Sequence, residues 1–187
     1  MNSNIETIIK KVVKRAIDLY LNQNSILNID NEPFDNEFFN TKLGIFVELA
    51  NNEDTVIALG NISSELTVLD NIIFVLINTI KSLDEEYIEK LRNNELKIRV
   101  WFVDEYLNLK NKDEREKVYG VSINKPAIMI NKNDVNTYCY LPSVWEEQSD
   151  AIYILENLAI NAGLDKDAWK ENEIDLITFK PNLIEIN

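Results

Sequence analysis

The chain has 187 residues, 45% hydrophobic and 27% charged, which fits one globular domain over residues 1–187 with a core divided between two lobes. Its 32 acidic against 19 basic residues give a formal charge of -13, a surface that repels phosphate backbones and anionic head groups and so excludes nucleic acid as a main partner. The sequence contains no histidine, which removes the commonest general base, the Ser-His and Cys-His nucleophile pairs and the usual nitrogen ligand for zinc, copper and iron.

In chain order, Ser3 and Glu6 have the S-x-x-E spacing of a helix-opening capping box, and Ile5, Ile8, Ile9, Val12, Val13, Ala16, Ile17 and Tyr20 follow on one apolar face. Lys10, Lys11, Lys14 and Arg15 fall off that face and read as a solvated stripe rather than an anion site. Residues 22–41 read as a loop with at most one helical turn, pinned to the core by Phe34, Phe38 and Phe39 around Pro33. Residues 42–50 and 55–59 are predicted to pair as strands, and residues 66–83 to form a helix apolar on most sides. The acidic run Asp84, Glu85, Glu86 and Glu89 opposes the dipole at that helix's end unless a new helix begins there.

Residues 96–103 are expected to form a central strand with Trp101 in the core, followed by an exposed connection over 108–117. Residues 118–123, 126–130 and 135–141 read as three short strands, the last holding Cys139 between Tyr138 and Tyr140. This lone cysteine excludes an internal disulfide and, without histidine as a base, reads as an inert buried thiol. After Pro142 a helix is predicted from Ser149 or Asp150, buried through Ile152, Leu155, Leu158, Ala159 and Ala162 and leaving through Gly163-Leu164. Trp169 and a closing strand over 174–180, stopped by Pro181, complete the pattern.

No apolar run reaches the roughly 18 residues of a membrane span, and the first residues lack a signal-peptide layout. The expectation is a soluble, cytoplasmic protein with no membrane partner.

Taken together, Gly44 to Leu49, Leu141-Pro142 with Val144, Ala162-Gly163-Leu164, Trp169 and Phe179 make the chain resemble the AMMECR-type domain, named after a chromosomal region deleted in a syndrome of Alport nephropathy, midface hypoplasia and elliptocytosis. The resemblance implies an α+β fold: an antiparallel or mixed sheet packed by helices, with a larger lobe and a smaller β-rich lobe around a cleft. Relatives typically carry Leu-Arg-Gly-Cys-Ile-Gly where this chain has Thr55, Val56, Ile57, Ala58, Leu59 and Gly60, so only the final glycine is kept. A DPRF-like element is replaced by residues 82–87, which marks a divergent member.

The expected function is therefore a non-catalytic interaction or adaptor module that binds a protein partner, with no cofactor and no metal. Tyr138, Tyr140, Trp145 and Gly60 are the expected lining of a ligand or partner groove. The alternative, which the resemblance implies through a genetic link of relatives to Memo-like and radical-SAM proteins, is an enzyme or small-molecule binder in a modification pathway. Its chemistry would fall on cleft carboxylates, Glu146, Glu147 and Asp150, with a divalent ion held by oxygen ligands.

Overall fold

The computed structural model describes residues 3–29, 36–52, 54–133 and 136–186. The chain forms two compact units, one of residues 1–104 with 182–187 and the other of residues 105–181. Each holds a four-stranded, wholly antiparallel sheet with helices, so the fold is α+β. Among the described residues no helix is long and apolar enough to cross a membrane.

In the first unit the sheet order is β2 (Asp54–Asn61), β1 (Gly44–Asn51), β3 (Lys97–Val103) and β8 (Asn182–Ile186). The strands alternate strictly. Ile45, Val47, Leu49, Ile98, Val100, Phe102, Ile184 and Ile186 point into a core shared with helices α1 (Ser3–Gln23) and α2 (Val68–Lys81). Helix α1 buries Ile5, Ile9, Val12, Val13 and Ala16 of its predicted face, while Ile8, Ile17 and Tyr20 are half-buried along its margin. Ser3 is itself helical, however, and Glu6 reaches forward to Lys10 Nζ at 2.8 Å rather than back to a cap. Helix α2 is buried on most sides, but Phe74 is exposed. Its buried Asn71 exchanges two hydrogen bonds with Asn61, at 3.1 and 3.2 Å, and donates to the Leu43 carbonyl, tying the helix to the ends of β1 and β2.

The loop after α1 behaves as expected where it is described: a 3-10 turn at Glu37–Asn40 buries Phe39 and sets Phe38 against Phe102, while Pro33 and Phe34 lie outside the described residues. A new helix does resolve the acidic run, because Asp84 accepts from Tyr87 N at 3.1 Å and caps α3 (Glu85–Arg92).

In the second unit the sheet order is β4 (Tyr106–Asn108), β7 (Asp175–Phe179), β5 (Ala127–Lys132) and β6 (Asn136–Tyr140); the predicted strand start at Val135 lies outside the described residues. Four expectations fail here, the first being the exposed connection over 108–117, in which Leu109 and Lys117 are buried and helix begins at Glu114. The β-branched run over 118–123 is helical, as most of α4 (Glu114–Ser122), because Asp113 and Glu116 form a reciprocal capping box immediately before it. Helix α6 (Ala151–Asn161) is capped by Asp150 but buries Ile154 in place of Ile152, which is exposed. Strand β7 is not the last, since Pro181 only separates it from β8 in the other unit's sheet.

The exit of α6 follows its sequence. Gly163 adopts φ 74°, and Leu164 N donates to the Ala159 carbonyl at 3.0 Å, closing a Schellman-type cap with Leu164 packed on the core.

Candidate functional site

Sheets of this kind normally keep charges off a strand flanked on both sides by other strands, because an unpaired buried carboxylate or guanidinium costs several kcal/mol. Two interior charges break that rule here: Glu48 in the middle of β1 and Arg99 in β3. They are register partners, and both point away from the core face described above. Glu48 is fully buried.

Its carboxylate is held from three sides. Oε1 accepts from Thr55 Oγ1 at 2.5 Å and from Arg99 Nη1 at 3.3 Å, and Oε2 accepts from Trp101 Nε1 at 2.8 Å. Arg99 Nε in turn donates to Glu185 Oε1 on β8 at 3.2 Å. One network therefore crosses all four strands of the sheet, from Thr55 on β2 to Glu185 on β8. Sequence reasoning named Trp101 as a core residue but passed over Glu48 and Arg99. The available signal was phase: Glu48 lies two residues after Phe46, and Arg99 two before Trp101, so the charged and aromatic residues share a face opposite the aliphatic one.

The stretch Thr55 to Gly60 runs along β2, at the edge of this sheet. Ala58 is the register partner of Glu48, and Gly60 that of Phe46. Gly60 is exposed, and a Cβ there would overlap the Ile45 carbonyl oxygen and lie 2.6 Å from Phe46 Cα. Only glycine lets β2 approach β1 this closely, which gives Gly60 a packing role.

The other predicted site residues belong to the second unit. Tyr138 and Tyr140 project from the same face of β6, an edge strand, with their rings 5.4 Å apart in an edge-to-face arrangement. Tyr138 is exposed and Tyr140 half-buried, its hydroxyl accepting from Asn161 Nδ2 at 2.7 Å. Burial, reinforced by the neighbouring Tyr138, holds the Tyr140 pKa above its ordinary value. Trp145 does not share that exposure. It is 5% exposed and its Nε1 donates to the Pro126 carbonyl at 2.7 Å, so its place is in the core.

Among the three carboxylates, Glu146 and Glu147 are exposed on the short helix α5 (Val144–Glu147), while Asp150 Oδ1 accepts from Ile152 N at 2.9 Å and Tyr153 N at 3.3 Å as the cap of α6. No group of three or more acidic or cysteine side chains converges as a metal site among the described residues. Desolvation pushes the Cys139 thiol well above its ordinary pKa, away from the reactive thiolate.

Lys117 is the largest surprise of this unit. It is fully buried under α4, and its Nζ donates to the carbonyls of Trp169, Lys170 and Glu171, each at 3.0 Å. The ammonium thereby satisfies the C-terminal end of the 3-10 turn Ala168–Lys170. Desolvation lowers its pKa below the ordinary lysine value.

The model of the AMMECR1 family matches residues 10–184, which span both units. The chain belongs to the AMMECR1 family. Its fold is also that of an uncharacterized protein from Pyrococcus horikoshii, solved by crystallography, with a TM-score of 0.74 at 18% identity over 94% of this chain and 88% of that one. No curated protein matches the sequence.

Proposed function

We propose that this AMMECR1-family protein acts as a non-catalytic interaction module. The observation that carries the reading is Ala58. It stands where relatives typically carry the signature cysteine, and it faces Glu48, whose carboxylate is already engaged by Thr55, Arg99 and Trp101. Val56 stands where relatives carry arginine, so the signature strand offers neither a thiolate nor a guanidinium. Cys139 does not substitute, because its desolvated thiol resists ionisation.

The binding surface in this reading is the edge of the second sheet at β6. Tyr138 and Tyr140 supply rigid aromatic area there, with hydroxyl groups able to bond a partner, a combination favoured at protein interfaces. The carboxylate-based alternative has weaker support, since Asp150 is occupied as a helix cap and Glu146 and Glu147 point into solvent.

Affinity capture from native lysate, with the wild-type chain and Tyr138→Ser/Tyr140→Ser as paired baits, tests the reading. The expected result is a reproducible protein partner recovered by the wild type and depleted at least about tenfold by the double substitution, the scale of losing one aromatic hot spot. Equal recovery by both baits, or no reproducible partner, would overturn it.

A further inference from the structure

A concave site in the second unit shares no lining residue with the Tyr138-Tyr140 face. It is a cavity of about 460 Å³ between α4, the first turn of α6 and the 3-10 turn at Trp169, a size typical of small-ligand sites. Its walls are apolar: Val118 and Tyr119 from α4, Ile152 from α6, and Trp169 beneath them. Tyr119 is 68% exposed and Ile152 47%, although each sits beside this hollow rather than on a flat surface.

Two polar features single the cavity out. Trp169 is 1% exposed, and its Nε1 is the one fully buried side-chain nitrogen or oxygen without a hydrogen-bond partner among the described residues. Trp101 and Trp145 both satisfy theirs. Buried indole donors ordinarily find an acceptor, so an unpaired one on a residue that lines the hollow is unusual and gives a signal sensitive to what enters it. Secondly, Arg115 borders the cavity, is exposed, and forms no ion pair or hydrogen bond among the described residues.

The other charges on the rim are accounted for. Lys170 pairs with Asp167 at 2.8 Å and lies 5.3 Å above the Trp169 ring, and the field of Glu114 acts on Lys117 and Lys170. Arg115 is thus the cation on this rim without a partner among the described residues, in a chain whose overall charge is strongly negative. An unpaired guanidinium above an apolar pocket is complementary to one kind of ligand: a compact hydrophobic body ending in a single carboxylate.

We infer that the α4–α6 cavity is a binding site for a small aromatic monocarboxylate, its ring held against Tyr119, Ile152 and Trp169 and its carboxylate paired with Arg115. The three tryptophans supply the readout, because each indole N–H gives its own nuclear magnetic resonance signal and two of the three are already bonded within the protein. The probe is 4-phenylbutyrate, with the uncharged 4-phenylbutanol as its comparison.

Titration with 4-phenylbutyrate is expected to move the Trp169 signal, assigned through Trp169→Phe, to saturation while the Trp101 and Trp145 signals stay in place and report an intact fold. Arg115→Gln, and separately the change from acid to alcohol, should each weaken binding about tenfold, the scale of one charge-assisted pair. Ile152→Glu, at an exposed position, should abolish binding. A Trp169 signal unmoved at millimolar 4-phenylbutyrate, equal binding of acid and alcohol, or full affinity in Arg115→Gln would each overturn the assignment.

Discussion

The two units treat their buried polar groups differently. In the first, Glu48 and Arg99 sit in the two central strands and bond to each other and to Thr55, Trp101 and Glu185 of the same sheet. In the second, Lys117 is closed off against three carbonyls, but the neighbouring Trp169 indole is left unbonded, and on an edge strand Tyr138 is exposed beside half-buried Tyr140. A buried network whose members are all satisfied rigidifies a fold and has little capacity left for a ligand. On the function proposed above, the contrast gives the β2 strand a scaffolding part and the second unit the recognition.

The largest expected effect comes from breaking the closed network. Glu48→Leu strands a buried guanidinium and the Trp101 donor together, and should cost about 3–5 kcal/mol in urea unfolding. Adding Arg99→Met should recover much of that loss, because a buried pair replaced by apolar side chains is often close to neutral. Additive losses in the double variant would show that the two residues do not act as one unit.

Lys117→Met comes next. It leaves the carbonyls of Trp169, Lys170 and Glu171 without their common donor, at a cost of about 2–3 kcal/mol. The substitution also changes the pH profile. Desolvation sets the folded pKa of Lys117 below its unfolded value of about 10.4, so between the two values the unfolded chain holds more protons and stability gains from rising pH. The contribution is smallest below the folded pKa. Chemical denaturation across alkaline pH should show that upward component in the wild type and lose it in Lys117→Met; an identical slope in both would refute the assignment.

Thr55→Val removes one hydrogen bond to a carboxylate that keeps two others, and should cost only about 1–2 kcal/mol. Smaller still is the expected response of Cys139 to iodoacetamide at pH 8. Cys139 is half-buried rather than buried, yet desolvation of its thiol raises the pKa, so native protein should be alkylated more slowly than unfolded protein. Rapid native alkylation would reopen thiol chemistry in the second unit.

Much of the fold was legible from periodicity. Short, largely apolar runs mark β1 and β3, and Asp150 with Gly163-Leu164 brackets α6. The failures have physical causes. Val118, Val121 and Ile123 have strand-like propensity, yet the Asp113-Glu116 box nucleates a helix that tertiary packing of Val121 and Lys117 completes. Gly120 helps by letting Leu109 approach the helix, where an added Cβ would lie 3.0 Å from Leu109 Cδ1.

The polar sites were harder to read because charge in a sequence suggests solvent. Lys117 lies in a run of charged residues and is nonetheless buried, since its acceptors are backbone carbonyls some fifty residues away that no local pattern reveals. Glu48 and Arg99 were readable in principle, as charges in phase with aromatic residues on two otherwise apolar strands. Trp145 had the composition of an interface residue, but its acceptor on Pro126 turns it inward.

The central claim, recognition by the second unit and scaffolding by the signature strand, is tested most directly by the dissociation constant of the captured partner for three proteins: wild type, Tyr138→Ser/Tyr140→Ser and Thr55→Val. The account predicts at least a tenfold weakening for the tyrosine double variant and an unchanged constant for Thr55→Val. Weakening by Thr55→Val with the tyrosine variant unaffected would contradict it and return the binding function to the signature strand.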